Sequence, residues 1–132
     1  MASEKIFISY DYDNDKQYKN LLVAWDKNDL FDFKFYDQSV DVSVNSTDAS
    51  YIKSVIKSRI SDSTHLLCLV GSRTYLSSWV EWEIKTAVDL GKKIIGVKID
   101  NGNNSPSSLL GVNASWAKSF TFDSIKTAIR GW

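Results

Sequence analysis

Short apolar runs alternate along this chain with longer stretches in which apolar residues return every three or four positions. Lys5-Ile-Phe-Ile-Ser-Tyr10 reads as a first strand. Asp11, Asp13 and Asp15 break it and offer helix N-caps, and Tyr18, Leu21, Leu22 and Trp25 then follow with i, i+3, i+4, i+7 spacing up to Asn28 and Asp29. Residues 32–36 alternate polar and aromatic side chains with period two, as an edge strand does. Residues 37–45 are polar with interspersed valines, a connection longer than most in α/β units. A second helix starts at Ser46-Thr-Asp48, with Ile52, Val55, Ile56 and Ile60 inward and Lys53, Lys57 and Arg59 in water. His65-Leu-Leu-Cys-Leu-Val70 is a strand buried on both faces that ends at Gly71. In the third helix Ser78 is the expected cap, Glu81 closes a capping box, and Val80, Ile84, Ala87 and Val88 form the core stripe. It runs to Leu90, where Gly91 supplies a left-handed end. Residues 92–99 form a fourth strand, followed by an Asn101-Gly102 turn and a helical turn between Pro106 and Gly111. Residues 119–122 read as a weaker fifth strand, and Asp123 or Ser124 caps a last helix with Ile125, Ala128 and Ile129 inward. Strict βα alternation implies a parallel sheet with helices on both faces.

The third helix carries the candidate chemistry. At about 100° per residue, Glu83 falls roughly 90° from the centre of the core stripe, with Trp79 one turn earlier on the same flank. A carboxylate beside an indole, near the C-terminal edge of a parallel sheet, stands where α/β folds hold their ligands. Position alone favours the plainer reading, an ordinary helix-surface carboxylate. Trp82 falls nearly opposite the stripe and is expected to be exposed, either harmlessly or as an anchor for self-association.

Composition narrows the classes. The 132 residues suit one domain spanning 1–132. Sixteen basic and sixteen acidic residues cancel, so no global field draws the chain to nucleic acid or to an anionic membrane. No signal peptide or membrane span is legible, which implies a cytoplasmic protein. Cys68, the single cysteine, lies in an apolar run and reads as a buried inert thiol. Asp11-x-Asp13-x-Asp15 resembles the start of a calcium loop, but Lys16 and Leu22 stand where that loop needs glycine and glutamate, so no metal is expected. No glycine-rich phosphate loop follows the first strand, and His65 has no serine or cysteine partner within a recognisable triad.

The words Phe7-Ile-Ser-Tyr-Asp, Val40-Asp-Val-Ser-Val-Asn-Ser-Thr-Asp-Ala-Ser50, Val70-Gly-Ser, Ser78-Trp-Val-x-Trp-Glu-Ile84 and Gly91-Lys-Lys-Ile-Ile-Gly-Val97 resemble, in the same order, the prokaryotic TIR-like family that includes the TIR-like proteins of the Thoeris antiphage systems. The resemblance implies a flavodoxin-like three-layer α/β fold with a five-stranded parallel sheet in order 2-1-3-4-5, and Ser9 and Glu83 at its C-terminal edge. It implies NAD as substrate rather than a bound cofactor, Glu83 as the catalytic residue, and Ser9, Tyr10, Asp11, Asp37, Ser72 and Trp79 as substrate-binding residues. Residues 37–45 correspond to the family's BB loop. Tyr10 and Asp11 replace a basic residue common after the first-strand serine, so contacts to the ligand's phosphates differ. The expected product is a cyclic ADP-ribose type signal, diffusing to a separate effector because no second domain is fused. The rival expectation is a non-catalytic TIR-like interaction module.

Overall fold

The computed structural model describes residues 5–27, 34–36, 49–100 and 102–131. Five strands, β1 (Lys5–Ser9), β2 (Lys34–Tyr36), β3 (His65–Val70), β4 (Lys93–Lys98) and β5 (Ser115–Ala117), alternate with α1 (Tyr12–Lys27), α2 (Ala49–Asp62), α3 (Ser78–Asp89) and α4 (Phe122–Arg130). All strand pairs are parallel, in the order β2-β1-β3-β4-β5. The order reverses between β1 and β3, which opens a crevice between the loops leaving their C-terminal ends. The expected loop at 37–45 lies outside the described residues.

Alternation along the strands divides the apolar residues between two cores. Ile6, Ile8, Leu67, Leu69, Ile95 and Val97 face α1 and α4. Phe7, Leu66, Cys68, Val70 and Ile94 face α2 and α3, where they meet Ile56, Ile60, Val80, Ile84 and Ala87. Six consecutive buried residues in β3 leave it no wet face, as a central parallel strand requires.

Several expected details are corrected. The cap of α3 is Ser77, in extended conformation, whose hydroxyl accepts the Val80 amide at 3.2 Å. Ser78 is already helical, so Glu81 sits one position too late for a capping box. Its carboxylate instead accepts from Ser107 Oγ at 3.2 Å and the Ser108 amide at 3.4 Å, tying α3 to the turn Ser107–Leu109. Val88, expected inside, is exposed, whereas Thr86 is buried. The reason is that α2 packs along the other flank of α3 and covers Thr86, whose hydroxyl is satisfied by the Trp82 carbonyl at 2.8 Å. Leu21 is exposed too, because the buried side of α1 runs through Asp15, Lys19, Leu22 and Val23.

The fifth strand lies at Ser115–Ala117 rather than 119–122. The alternation of Phe120 and Phe122 reflects packing on a helix: Phe120 meets Tyr18 and Trp25 at centroid distances of 5.1 and 5.6 Å, and Phe122 meets Trp25 at 6.0 Å. Thr121, not Asp123 or Ser124, caps α4 by accepting the Ser124 amide. Ile125, Ala128 and Ile129 do turn inward, and Gly91 ends α3 at φ +73°, which a side chain rarely adopts.

Candidate functional site

One row of residues crosses the sheet on the α3 side. Ser9 pairs with Cys68, Cys68 with Gly96, and Gly96 with Trp116. Ser9 and Cys68 are small, and from the flank of α3 Glu83 reaches down so that Ser9 Oγ donates to Glu83 Oε1 at 2.8 Å. Ser9 is fully buried and Glu83 half-buried. Burial pushes the Glu83 carboxyl up from 4.5 to about 8, against the opposing effect of the Ser9 hydrogen bond. At pH 7 Glu83 is therefore mainly the neutral acid. Cys68 lies under the same carboxylate. Its thiol is pushed well above its usual range, first by burial and then by the Glu83 charge, so it stays protonated and unreactive.

The other expected site residues are spread around this pair. Trp79 is half-buried one turn before Glu83, but its ring meets Trp82 edge-on at 6.0 Å. Lys53 Nζ of α2 lies 5.7 Å from the Trp79 ring and 5.5 Å from that of Trp82. Trp82 is thus half-buried between helices rather than standing free in solvent, because α2 extends alongside it. Tyr10 is corrected as well: one residue past Ser9, strand alternation turns its side chain into the core beneath α1 and α4, on the opposite face from Glu83. Asp11 is partly buried and starts α1, its carbonyl accepting the Asn14 and Asp15 amides and its carboxylate accepting Asn14 Nδ2 at 2.6 Å. Ser72 is exposed just beyond β3. Asp37 lies outside the described residues. Among the described residues no group of three or more His, Cys, Asp or Glu side chains is arranged to hold a metal, and no helix is long and apolar enough to cross a membrane.

Sequence reasoning missed the polar junction above the pair. Asp15 of α1 is buried against the turn after β3, where Thr74, itself fully buried, hydrogen-bonds to it. The signal available was the glycine at the mouth of β3: a Cβ on Gly71 would collide with the Asp15 carboxylate, so that position keeps room for a neighbour.

A serine at the end of the first strand is thus joined to a glutamate on the third helix of a parallel sheet. The family model for the TIR-like domain of the Thoeris protein ThsB matches residues 7–104. The chain belongs to that family. The matched span runs from β1 past β4 and includes both Ser9 and Glu83. Three solved structures share the fold of this TIR-like domain. A 2-deoxyribosyltransferase from the psychrotolerant bacterium Bacillus psychrosaccharolyticus is similar with a TM-score of 0.67 and 14% identity, over 92% of this chain and 90% of that one. The CMP N-glycosidase BcmB of Clostridium botulinum gives 0.59 and 14%, over 86% and 87%. The TIR domains of the activated Roq1 resistosome, which recognises the pathogen effector XopQ, give 0.53 and 12%, over 75% and 60%. At such identities the likeness is one of fold. No curated protein matches the sequence significantly.

Proposed function

We propose that this TIR-like domain cleaves the bond between nicotinamide and ribose in NAD and releases a cyclic ADP-ribose type signal for a separate effector. The observation that carries the reading is the Ser9–Glu83 hydrogen bond at 2.8 Å, with a carboxyl held half-buried and shifted up to about 8 at the β1/β3 crevice. Perturbed carboxyls in such clefts are where catalysis is concentrated. Two proteins sharing the fold are named for a deoxyribosyltransferase acting in nucleoside synthesis and for an N-glycosidase acting on CMP, so by analogy the scaffold suits N-glycosidic chemistry.

In this reading the cationic nicotinamide ring enters beside Glu83, favours its ionised form and displaces its proton. The C1′–N bond then breaks, and the nitrogen keeps the electron pair, so nicotinamide leaves neutral without needing a strong acid. Positive charge develops on C1′, as in glycoside cleavage, and the Glu83 carboxylate stabilises it. Ser9 orients that carboxylate, and Trp79 shields the leaving ring. Attack on C1′ by another atom of the same nucleotide closes the cyclic product, whereas water would give the open one. Asp11, Asp37 and Ser72 are proposed to contact the rest of the nucleotide, and Tyr10 to act only through its backbone.

The test is nicotinamide release from NAD, by purified protein and in phage-infected cells, with Glu83→Gln as control. The wild type is expected to turn over and the variant to lose at least about a hundredfold in rate. Equal turnover by both would remove Glu83 from the chemistry. No turnover by either, in infected cells as well as in vitro, would favour a non-catalytic interaction module.

A further inference from the structure

The junction above the Ser9–Glu83 pair is built around a single hydroxyl. Thr74 Oγ1 accepts the Gly71 amide at 2.8 Å and lies 3.2 Å from both the Leu69 carbonyl oxygen and Asp15 Oδ2. A hydroxyl has one hydrogen and two acceptor positions. Its one hydrogen is shared between the Leu69 carbonyl oxygen and Asp15 Oδ2, both of which accept from it. Burial raises the Asp15 carboxyl above its usual range, the Thr74 hydrogen bond opposes that shift, and the charge of Asp11 adds to it. Gly71 supplies the room, since any side chain there would meet the carboxylate.

This junction joins two connections. Asp15 belongs to the first turn of α1, close behind β1 and Ser9. Thr74 opens the turn Thr74–Leu76, which leads directly into the Ser77 cap and so into α3 and Glu83. We infer that Asp15 is a positioning residue that clamps the β1–α1 connection to the β3–α3 connection and thereby holds Glu83 against Ser9. The clamp acts on the site proposed above and, as a statement about catalysis, rests on that reading. It does not touch substrate. Its work is to keep the first turn of α3 seated, so that the Glu83 carboxyl stays half-buried.

The direct readout is the titration of the Glu83 side-chain carboxyl carbon by nuclear magnetic resonance, which is independent of any activity. Wild type is expected to titrate near 8. Asp15→Asn, whose amide oxygen can accept from Thr74 as the carboxyl oxygen does, is expected to leave that midpoint within a few tenths of a pH unit. Asp15→Ala is expected to lower it by about one pH unit or more as water reaches Glu83. Gly71→Ala, which displaces the carboxylate, should reproduce the Ala result, and the double variant should shift no further. If Asp15→Ala fails to fold, Gly71→Ala and Asp15→Asn carry the comparison. Unchanged Glu83 titration in Asp15→Ala or Gly71→Ala, or an Asn variant that behaves like Ala, overturns the assignment. In turnover, Asp15→Ala should lower kcat for nicotinamide release at least about tenfold with KM nearly unchanged, because misplacing Glu83 costs the transition state rather than ground-state binding. Should the Glu83 midpoint respond as described while no protein, wild type included, releases nicotinamide, the clamp stands and the proposed activity falls.

Discussion

Glu83 pairs opposite tendencies. Burial favours its neutral form, and the Ser9 hydroxyl at 2.8 Å favours its charged form. Since the proposed chemistry needs the carboxylate, kcat/KM should rise with pH through about 8, the value of the free site. Removing the hydroxyl removes the hydrogen bond that lowers this value. Ser9→Ala should therefore move the rising limb to higher pH by roughly half to one unit, the worth of one hydrogen bond to a carboxylate. A pH series of initial rates on both proteins measures it. A limb that stays put or moves to lower pH would mean that Ser9 does not act on Glu83.

Among the elements, one of the contacts between β4 and β5 explains a glycine in a strand otherwise rich in isoleucine and valine. The Trp116 ring lies over Gly96 so closely that a Cβ there would come within 2.6 Å of a ring carbon. The ring also faces Lys98 Nζ at 5.9 Å. Gly96→Ala is expected to destabilise by about 1–3 kcal/mol, since β5 has only three residues with which to absorb the displacement. In a denaturant-unfolding cycle with Trp116→Leu, the double variant should be more stable than the sum of the single effects allows. Strict additivity would show that the ring is not the obstacle. A strand as short as β5 offers too little alternation to stand out in the sequence, whereas Phe120 and Phe122 display a period of two while packing on α1.

For the molecule as a whole, equal numbers of basic and acidic residues leave little net repulsion, so individual buried acids govern the pH response. The exposed Lys5–Asp62 pair at 3.2 Å contributes little by comparison. Glu83 and Asp15 are both raised in the folded protein. At these two groups the native state holds its protons to higher pH than the unfolded chain does. The stability they contribute is full below their unfolded values and is lost as pH rises, for Glu83 across the window from 4.5 to about 8. Urea unfolding should give a lower stability at pH 8.5 than at pH 5, by roughly 1–4 kcal/mol. Glu83→Gln, neutral at every pH, should remove most of that slope. A wild type more stable at the higher pH would contradict the burial of this carboxyl.

By itself, the sequence determined where β1 to β4 and the four helices form, because periods of 2 and 3.6 are local properties of a chain, but not where β5 lies. The Phe7-Ile-Ser9 and Trp79-x-x-x-Glu83 words marked where a site would lie. Tertiary structure decided what periodicity leaves open. It selected which flank of α3 is buried, because α2 covers Thr86 and leaves Val88 bare. It turned Tyr10 away from Glu83 and drew Trp82 in beneath Lys53. It also brought Asp15 to Thr74 across 59 positions of sequence, a pairing that no local pattern encodes, since it exists only once parallel β1 and β3 lie side by side.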